Sequence, residues 1–207
     1  MNDDRLAWIY SATNPAELHE RYEVWAADYD TDLQGMHWMA PRAGAERCQH
    51  FAGPAAVVLD AGCGTGLVGV ALRALGVGRL VGFDLSAAML QRAHDRGVYD
   101  ELVQGSLLEP LPFAAGSFDA VVSVGVFTFG HVGPSAIAGL AALVRAGGHV
   151  SLTFRDDAMD PLGYAEEVRR LQEAGVWQLV ERTEAAPLIV EEGIGADMRV
   201  WTWQVLG

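Results

Sequence analysis

The segment that most restricts the fold runs from residue 56 to residue 76 and reads AVVLDAGCGTGLVGVALRALG. An apolar run of strand length reaches an acid, Asp60, and passes into three alternating glycines, Gly62, Gly64 and Gly66. LVGVALRALG then reads as a helix closed by Gly76. Glycines between a strand and a helix allow a tight turn and let a ligand approach the backbone. The amides at the helix start carry partial positive charge. Any one of these glycines alone is explained as a turn residue. The order of strand, acid, three glycines and helix is what points to a ligand loop.

The alternation continues along the chain. RLVGFD reads as a second strand, and SAAMLQRAHDRG as a second helix with Ser86 as N-cap and Gly97 past its end. ELVQGS is a third, short strand and SFDAVVSVGVF a fourth, apolar in its middle. PSAIAGLAALVRAGG reads as a helix with a glycine stop, HVSLTFR as a fifth strand, and PLGYAEEVRRLQEAG as another helix. WQLVERTE and MRVWTWQVL alternate as half-exposed strands that should pair antiparallel. Residues 1–50 read as helical and aromatic-rich, with Asn14-Pro15 as a start signal ahead of AELHERYEVWAADYD. Strand–helix alternation with buried strands predicts an α/β, doubly wound, mainly parallel sheet covered on both faces. Ligands of such sheets lie outside the strand carboxyl ends, at the switch point in strand order. Chemistry is therefore expected just after Leu59, Phe83, Gln104 and Val124.

Composition narrows the function. A chain of 207 residues suffices for one α/β domain, and no apolar run approaches the roughly 20 residues of a bilayer span. MNDDRLAWIY carries early acids and no apolar signal core, so no secretory peptide is expected. Cys48 and Cys63 are too few for a disulfide framework and lack metal-ligand spacing, which fits a cytoplasmic protein without a metal. A net charge of −13 argues against DNA or RNA, which need clustered Lys and Arg. The charge serves solubility first, and it also attracts cationic ligands.

The glycine loop is not the dinucleotide fingerprint G-x-G-x-x-G, because the third glycine would fall at Leu67. No G-x-x-x-x-G-K-[ST] occurs either, which excludes a P-loop. An Asp two places before the first glycine suits a ligand with an ammonium group better than a pyrophosphate. Asp84 closes the second strand, 24 positions after Asp60, and an acid about 20 residues beyond a glycine loop can accept both hydroxyls of a ribose. Its simpler role would be a helix N-terminal acid before Ser86. Leu85 and Met89 then either pack on a base or belong to the core.

VLDAGCGTG, VGFDLSAAMLQRA and LPFAAGSFDAVVSVGVF resemble motifs of class I S-adenosylmethionine-dependent methyltransferases, over roughly residues 20–155. YEVWAADYD resembles the Y-D-x-W-A-x-x-Y-D segment of one branch, and with GHVGP it looks most like the methyltransferase-like group of the Williams–Beuren region. The resemblance implies a Rossmann-like fold over 1–207, with residues 1–50 as a helical lid and 51–207 as the core. It implies S-adenosylmethionine as cofactor and S-adenosylhomocysteine as product. Gly62, Cys63, Gly64, Thr65 and Gly66 would then pack on the methionine part, with Asp60 near its ammonium directly or through water. Asp84 would bind the ribose hydroxyls, Leu85 would flank adenine, and Val124 and Gly125 would line the sulfonium end. Many relatives carry an Asp after the third strand. Here Ser106 is shorter and neutral, with the Leu107 N–H beside it. Tyr22, Trp25 and Tyr29 fall on one face of a helix. The resemblance makes Tyr22 and Tyr29 lid residues over the cofactor, while Trp25 serves equally well as packing. Arg42 reads first as a surface arginine, with the methionine carboxylate as its alternative partner.

Methyl transfer from a sulfonium needs alignment and exclusion of water, and a base only when the acceptor arrives protonated. His131, in FTFGHVGP, is the catalytic candidate, and a loop histidine bonded to backbone is its equal alternative. Cys63 lacks the partner pattern of a nucleophile. Asp156, Asp157 and Asp160 could meet a cationic substrate, though a solvated loop is the simpler reading. Size and charge favour a small-molecule acceptor, no nucleic-acid or membrane partner, and a monomer or homodimer with an edge at the last strand pair. Two other functions fit part of the pattern. One is a non-catalytic module binding S-adenosylmethionine or S-adenosylhomocysteine; the other is a dehydrogenase, against which Leu67 speaks.

Overall fold

The computed structural model describes residues 8–9, 11–12, 14–35, 38–187 and 197–207, so expectations on residues 1–7 lie outside it. Helix α1 (Pro15–Trp25) starts where the sequence signals it: the Asn14 side chain accepts the Glu17 N–H at 3.0 Å, and Pro15 occupies the first turn. The helix does not run on through Asp30. Residues 26–28 turn, and α2 (Tyr29–Gly35) begins anew. Asp30 and Asp32 suit the positive end of a new helix, and Asp32 accepts the Trp25 indole N–H at 2.8 Å, fixing the corner.

After α3 (Ala40–Ala52) the α/β alternation follows as β1 (Val57–Ala61), α4 (Leu67–Ala74), β2 (Arg79–Asp84), α5 (Ala87–Asp95), β3 (Glu101–Gln104) and β4 (Phe118–Phe127). Then come α6 (Ser135–Ala142), β5 (Val144–Arg155), a 3-10 turn (Asp156–Ala158), α7 (Tyr164–Glu173), β6 (Trp177–Arg182), β7 (Ala186–Pro187) and β8 (Asp197–Val205). The sheet order is β3-β2-β1-β4-β5-β8-β6, with β7 also paired to β8. Strands β1 to β5 are parallel, and β8 is antiparallel to both β5 and β6. This is the Rossmann-like, doubly wound sheet with an antiparallel C-terminal pair. The last strand inserts beside β5, leaving β6 at the edge.

The two-residue period of the strands sorts side chains to two faces. Val58, Leu80, Ala120 and Val122 pack with Ala45 and Cys48 of α3 and with Val68 and Leu72 of α4. Leu59, Val81, Val121 and Leu152 pack with Ile137 and Leu140 of α6 and with Val168 and Leu171 of α7. Helix α3 is thus part of the sheet's cover. Gly44 lets it approach so closely that a Cβ there would stand 2.5 Å from Val124. A boundary at residue 50 therefore runs through a core helix. Helix α6 also ends before its glycines. The Phe118 N–H donates to the Leu143 carbonyl at 3.1 Å and Val144 pairs with Phe118, drawing VRAGG into an irregular start of β5. Among the described residues no helix is long and apolar enough to cross a membrane.

The antiparallel end is held by indole stacking. Trp203, wholly buried, lies 4.6 Å from Trp177 with ring planes 13° apart. Trp203→Ala should lower unfolding free energy by about 3–5 kcal/mol, read from denaturant titration, with Trp203→Phe losing distinctly less.

Candidate functional site

The carboxyl ends of β1, β2, β3 and β4 open onto one cavity, with about 890 Å³ of empty space when the open solvent at its mouth is included. The loop after β1 forms its floor. The Gly62 and Cys63 amides both donate to the Phe83 carbonyl, at 2.7 and 3.1 Å, which folds the loop over the end of β2. Gly62 has φ +76°, and a Cβ there would stand 2.3 Å from a Val126 methyl, so backbone and space both demand glycine.

Asp84 is the polar centre of the cavity wall. One carboxylate oxygen accepts the Gly64 N–H at 2.8 Å and the other the Ser86 N–H at 2.9 Å. Burial pushes its pKa up, while these backbone donors pull it down. Ser86 caps α5 by accepting the Met89 N–H at 3.1 Å. Leu85, Met89, Ser106, Leu107 and Val124 line the cavity with Asp84, as do Gly62 and Gly64. The Ser106 hydroxyl accepts the Leu108 N–H at 3.1 Å, closing a tight turn beside the wall.

On the opposite side stand Tyr22 and Tyr29 from the N-terminal helices, and His131 from the loop after β4. His131 Nδ1 lies 2.7 Å from the Phe129 carbonyl, which can only accept, so Nδ1 carries the hydrogen. Nε2 then accepts the Tyr22 hydroxyl at 2.6 Å. Burial lowers the His131 pKa to about 4, so the imidazole is neutral at physiological pH.

Five residues expected at the site do not line the cavity. Trp25 is 1% exposed, packs behind Tyr22 and Tyr29 at ring distances of 6.0 and 4.7 Å, and serves as packing. Asp60 is wholly buried beneath the loop, where it accepts the Tyr99 hydroxyl at 2.6 Å. Cys63 is buried, and burial pushes its thiol well above the usual range, which suits packing and not nucleophilic attack. Thr65 donates to Asp30 of α2 at 2.6 Å, tying the loop to the N-terminal helices. Gly66 starts α4 with φ +92°. Arg42 is a surface residue paired with Glu46 at 2.7 Å. Asp156 and Asp157 are neutralised by Arg199 and Arg155, at 2.9 and 2.8 Å.

The cavity also has walls that the sequence reading did not single out, among them Leu18 and His19. They precede Tyr22 by one helical turn, so helical spacing from Tyr22 would have found them. Tyr99 carries no such signal. It sits in a short connection before β3, and only the folded chain brings it to Asp60.

Residues 59–152 match the model of a methyltransferase domain family. The chain is 41% identical over 165 residues to human Methyltransferase-like protein 27, covering 76% of this chain and 66% of that protein. The chain belongs to the class I S-adenosylmethionine-dependent methyltransferases. This methyltransferase is also 45% identical over 67 residues to the Bos taurus 18S rRNA (guanine-N(7))-methyltransferase, covering 32% of this chain and 24% of that one. The methyltransferase thus spans about two thirds of the human relative's length and about a quarter of the bovine one's. Its fold is shared with the Burkholderia thailandensis 1,6-didemethyltoxoflavin-N1-methyltransferase, solved with 1,6-didemethyltoxoflavin and S-adenosylhomocysteine bound. The TM-score is 0.61 at 20% identity, covering 91% of this chain and 90% of that one.

Two measurements check this geometry. Gly62→Ala should cost about 2 kcal/mol in stability through strain at positive φ and the clash with Val126, with part recovered in the double variant carrying Val126→Ala. His131 should titrate near 4 by NMR. An unfolded histidine takes its proton near 6.5, so the folded state loses stability as pH falls from about 6.5 towards 4; His131→Gln should remove that slope.

Proposed function

We propose that this methyltransferase transfers the methyl group of S-adenosylmethionine to a small-molecule acceptor bound between the glycine loop and the Tyr22–His131 wall. The observation that carries the reading is Asp84. Its carboxylate stands at the carboxyl end of β2, in the cavity wall, with both oxygens oriented by backbone N–H donors and lone pairs left to accept ribose hydroxyls. The rest of the cavity fits the same cofactor. Leu85, Met89 and Leu107 offer apolar surface to a purine, and the Ser106 hydroxyl can donate beside it. Gly62 and Gly64 let the methionine part lie close to the backbone. Tyr22 and Tyr29 present rings to a sulfonium.

S-adenosylmethionine, when bound, supplies an activated methyl group. The chain's own residues align and shield. Asp84 and the loop fix one end of the cavity, and Tyr22 and Tyr29 cover the other. We assign helices α1 and α2 to a lid held down by Thr65 on Asp30, by the Arg96–Asp30 ion pair and by Tyr22 on His131. His131, of low basicity, suits a hydrogen-bond anchor for Tyr22 better than a general base at neutral pH. That favours acceptors that arrive with a lone pair already available.

A small acceptor is supported by the net charge of −13, which repels a polyanion. The likeness to an rRNA methyltransferase covers a third of the chain and gives an RNA acceptor as the competing outcome.

Calorimetry with S-adenosylmethionine and S-adenosylhomocysteine should show binding of both, weakened by about a hundredfold in Asp84→Ala, with NAD inert. Absence of binding to the folded wild-type protein would overturn the cofactor assignment. With binding established, methyl transfer to amine, hydroxyl and heteroaromatic acceptors supports the reading. Transfer to rRNA alone would replace the acceptor class, and binding without any transfer would leave a ligand-binding module.

A further inference from the structure

Tyr99 occupies a slot built for it. Its ring lies against three glycines on three elements: Gly66 in the loop, Gly69 in α4 and Gly82 in β2. A Cβ at these positions would stand 3.0, 2.4 and 3.0 Å from ring atoms of Tyr99. The slot leads the hydroxyl beneath the glycine loop, where it donates to one carboxylate oxygen of Asp60 at 2.6 Å. The other oxygen of Asp60 is buried and has no hydrogen-bond partner among the described residues. A wholly buried carboxyl with one oxygen unsatisfied is costly in a fold that needs it only for packing.

We propose that Tyr99 is a positioning residue of the cofactor site, holding Asp60 so that its carboxylate compensates the positive charge of the cofactor from behind the glycine loop. The inference rests on the assignment of the cavity to S-adenosylmethionine. The groups around Asp60 come from every side: Cys48 of α3, Cys63 of the loop, Asp84 of β2 and Tyr99 itself. The cysteines are neutral because burial raises their thiol pKa. Asp84 repels a second negative charge, and the Tyr99 hydroxyl favours it. Burial outweighs that hydrogen bond and pushes Asp60 up to about 7. Near neutrality a share of the molecules therefore carries a proton on Asp60. A cation arriving over the loop stabilises the carboxylate, and that proton passes to solvent. Affinity for the cofactor should rise with pH through about 7 and level off above it.

The test is calorimetry on the full chain with S-adenosylmethionine, in phosphate and in Tris at pH 6.5 and 8.5. S-adenosylhomocysteine serves as a second ligand. Proton release makes the wild-type heat depend on the buffer at the lower pH. Tyr99→Phe keeps the ring in its slot and removes only the hydroxyl. It should weaken binding at pH 7 by about tenfold and move the pH dependence upward. Asp60→Asn should abolish the buffer-dependent heat; if it does not fold, the wild-type heats and Tyr99→Phe decide. A Tyr99→Phe protein that melts lower yet binds with wild-type affinity and pH dependence would make Tyr99 a packing residue and overturn the proposal. Wild-type binding with the same heat in both buffers would overturn it too, while leaving the cofactor assignment standing. No wild-type binding at all would remove that assignment and this inference with it.

Discussion

Two backbone donors on one carboxylate organise the whole ligand edge. Asp84 ends β2, and through its two oxygens it fixes Gly64 in the loop after β1 and Ser86 at the start of α5. The loop is fastened from the other side by the Phe83 carbonyl, which takes the amides of Gly62 and Cys63. Two adjacent residues of one strand therefore set the path of a neighbouring loop and the start of a helix. This works only because β1 and β2 lie parallel and in register, with Ala61 beside Phe83. The sheet supplies the register, and the glycines supply the freedom to follow it.

The N-terminal helices are joined to that edge by polar contacts. Asp30 reaches Thr65 and Arg96, Tyr22 reaches His131, and Glu23 accepts the Ala88 N–H at 3.4 Å. These contacts fall on the loop, on α5 and on the connection after β4, all within Tyr22–Asp30. Beneath them Ile9, Trp25 and Leu33 form a small apolar cluster of their own, separate from the two clusters that cover the sheet. Little apolar burial and several polar ties are the features of segments that open below the global unfolding free energy, and they suit the lid role proposed for these helices.

The element order, the parallel sheet and the cavity's location were legible in the sequence, because each rests on local patterns. Apolar strand runs, the Ser86 and Asn14 caps and the glycine punctuation all act within a few residues. Asp84, Gly62, Gly64 and the residues after β3 and β4 follow from strand ends alone. What was not legible depends on distant contacts. The break between α1 and α2 hangs on the Trp25–Asp32 hydrogen bond, and the early end of α6 on pairing between Phe118 and Val144. The insertion of β8 between β5 and β6 rests on pairing between distant segments, His149 with Gln204 and Trp177 with Val205, that no spacing rule encodes. Within the site, the inward turn of Trp25, Asp60, Cys63 and Thr65 depends on distant contacts in the same way. A motif gives the residues of a loop but not which of them face the ligand.

Asp60 and Asp84 raise a question of energetics that the fold answers by sharing labour. Two acids on adjacent strand ends, Asp60 wholly buried and Asp84 half-buried in the cavity wall, repel, and taking them from water favours the unfolded chain. Asp84 offsets part of that cost by accepting two backbone N–H groups that need partners anyway. Asp60 receives the Tyr99 hydroxyl, and its other oxygen has no hydrogen-bond partner among the described residues. The residual negative potential is thus concentrated under the loop, behind backbone that lines the cavity. If Asp60 acts on the cofactor as proposed, ligand binding and folding are linked, and the acid that is costly in the empty site is the one whose cost a cationic ligand relieves.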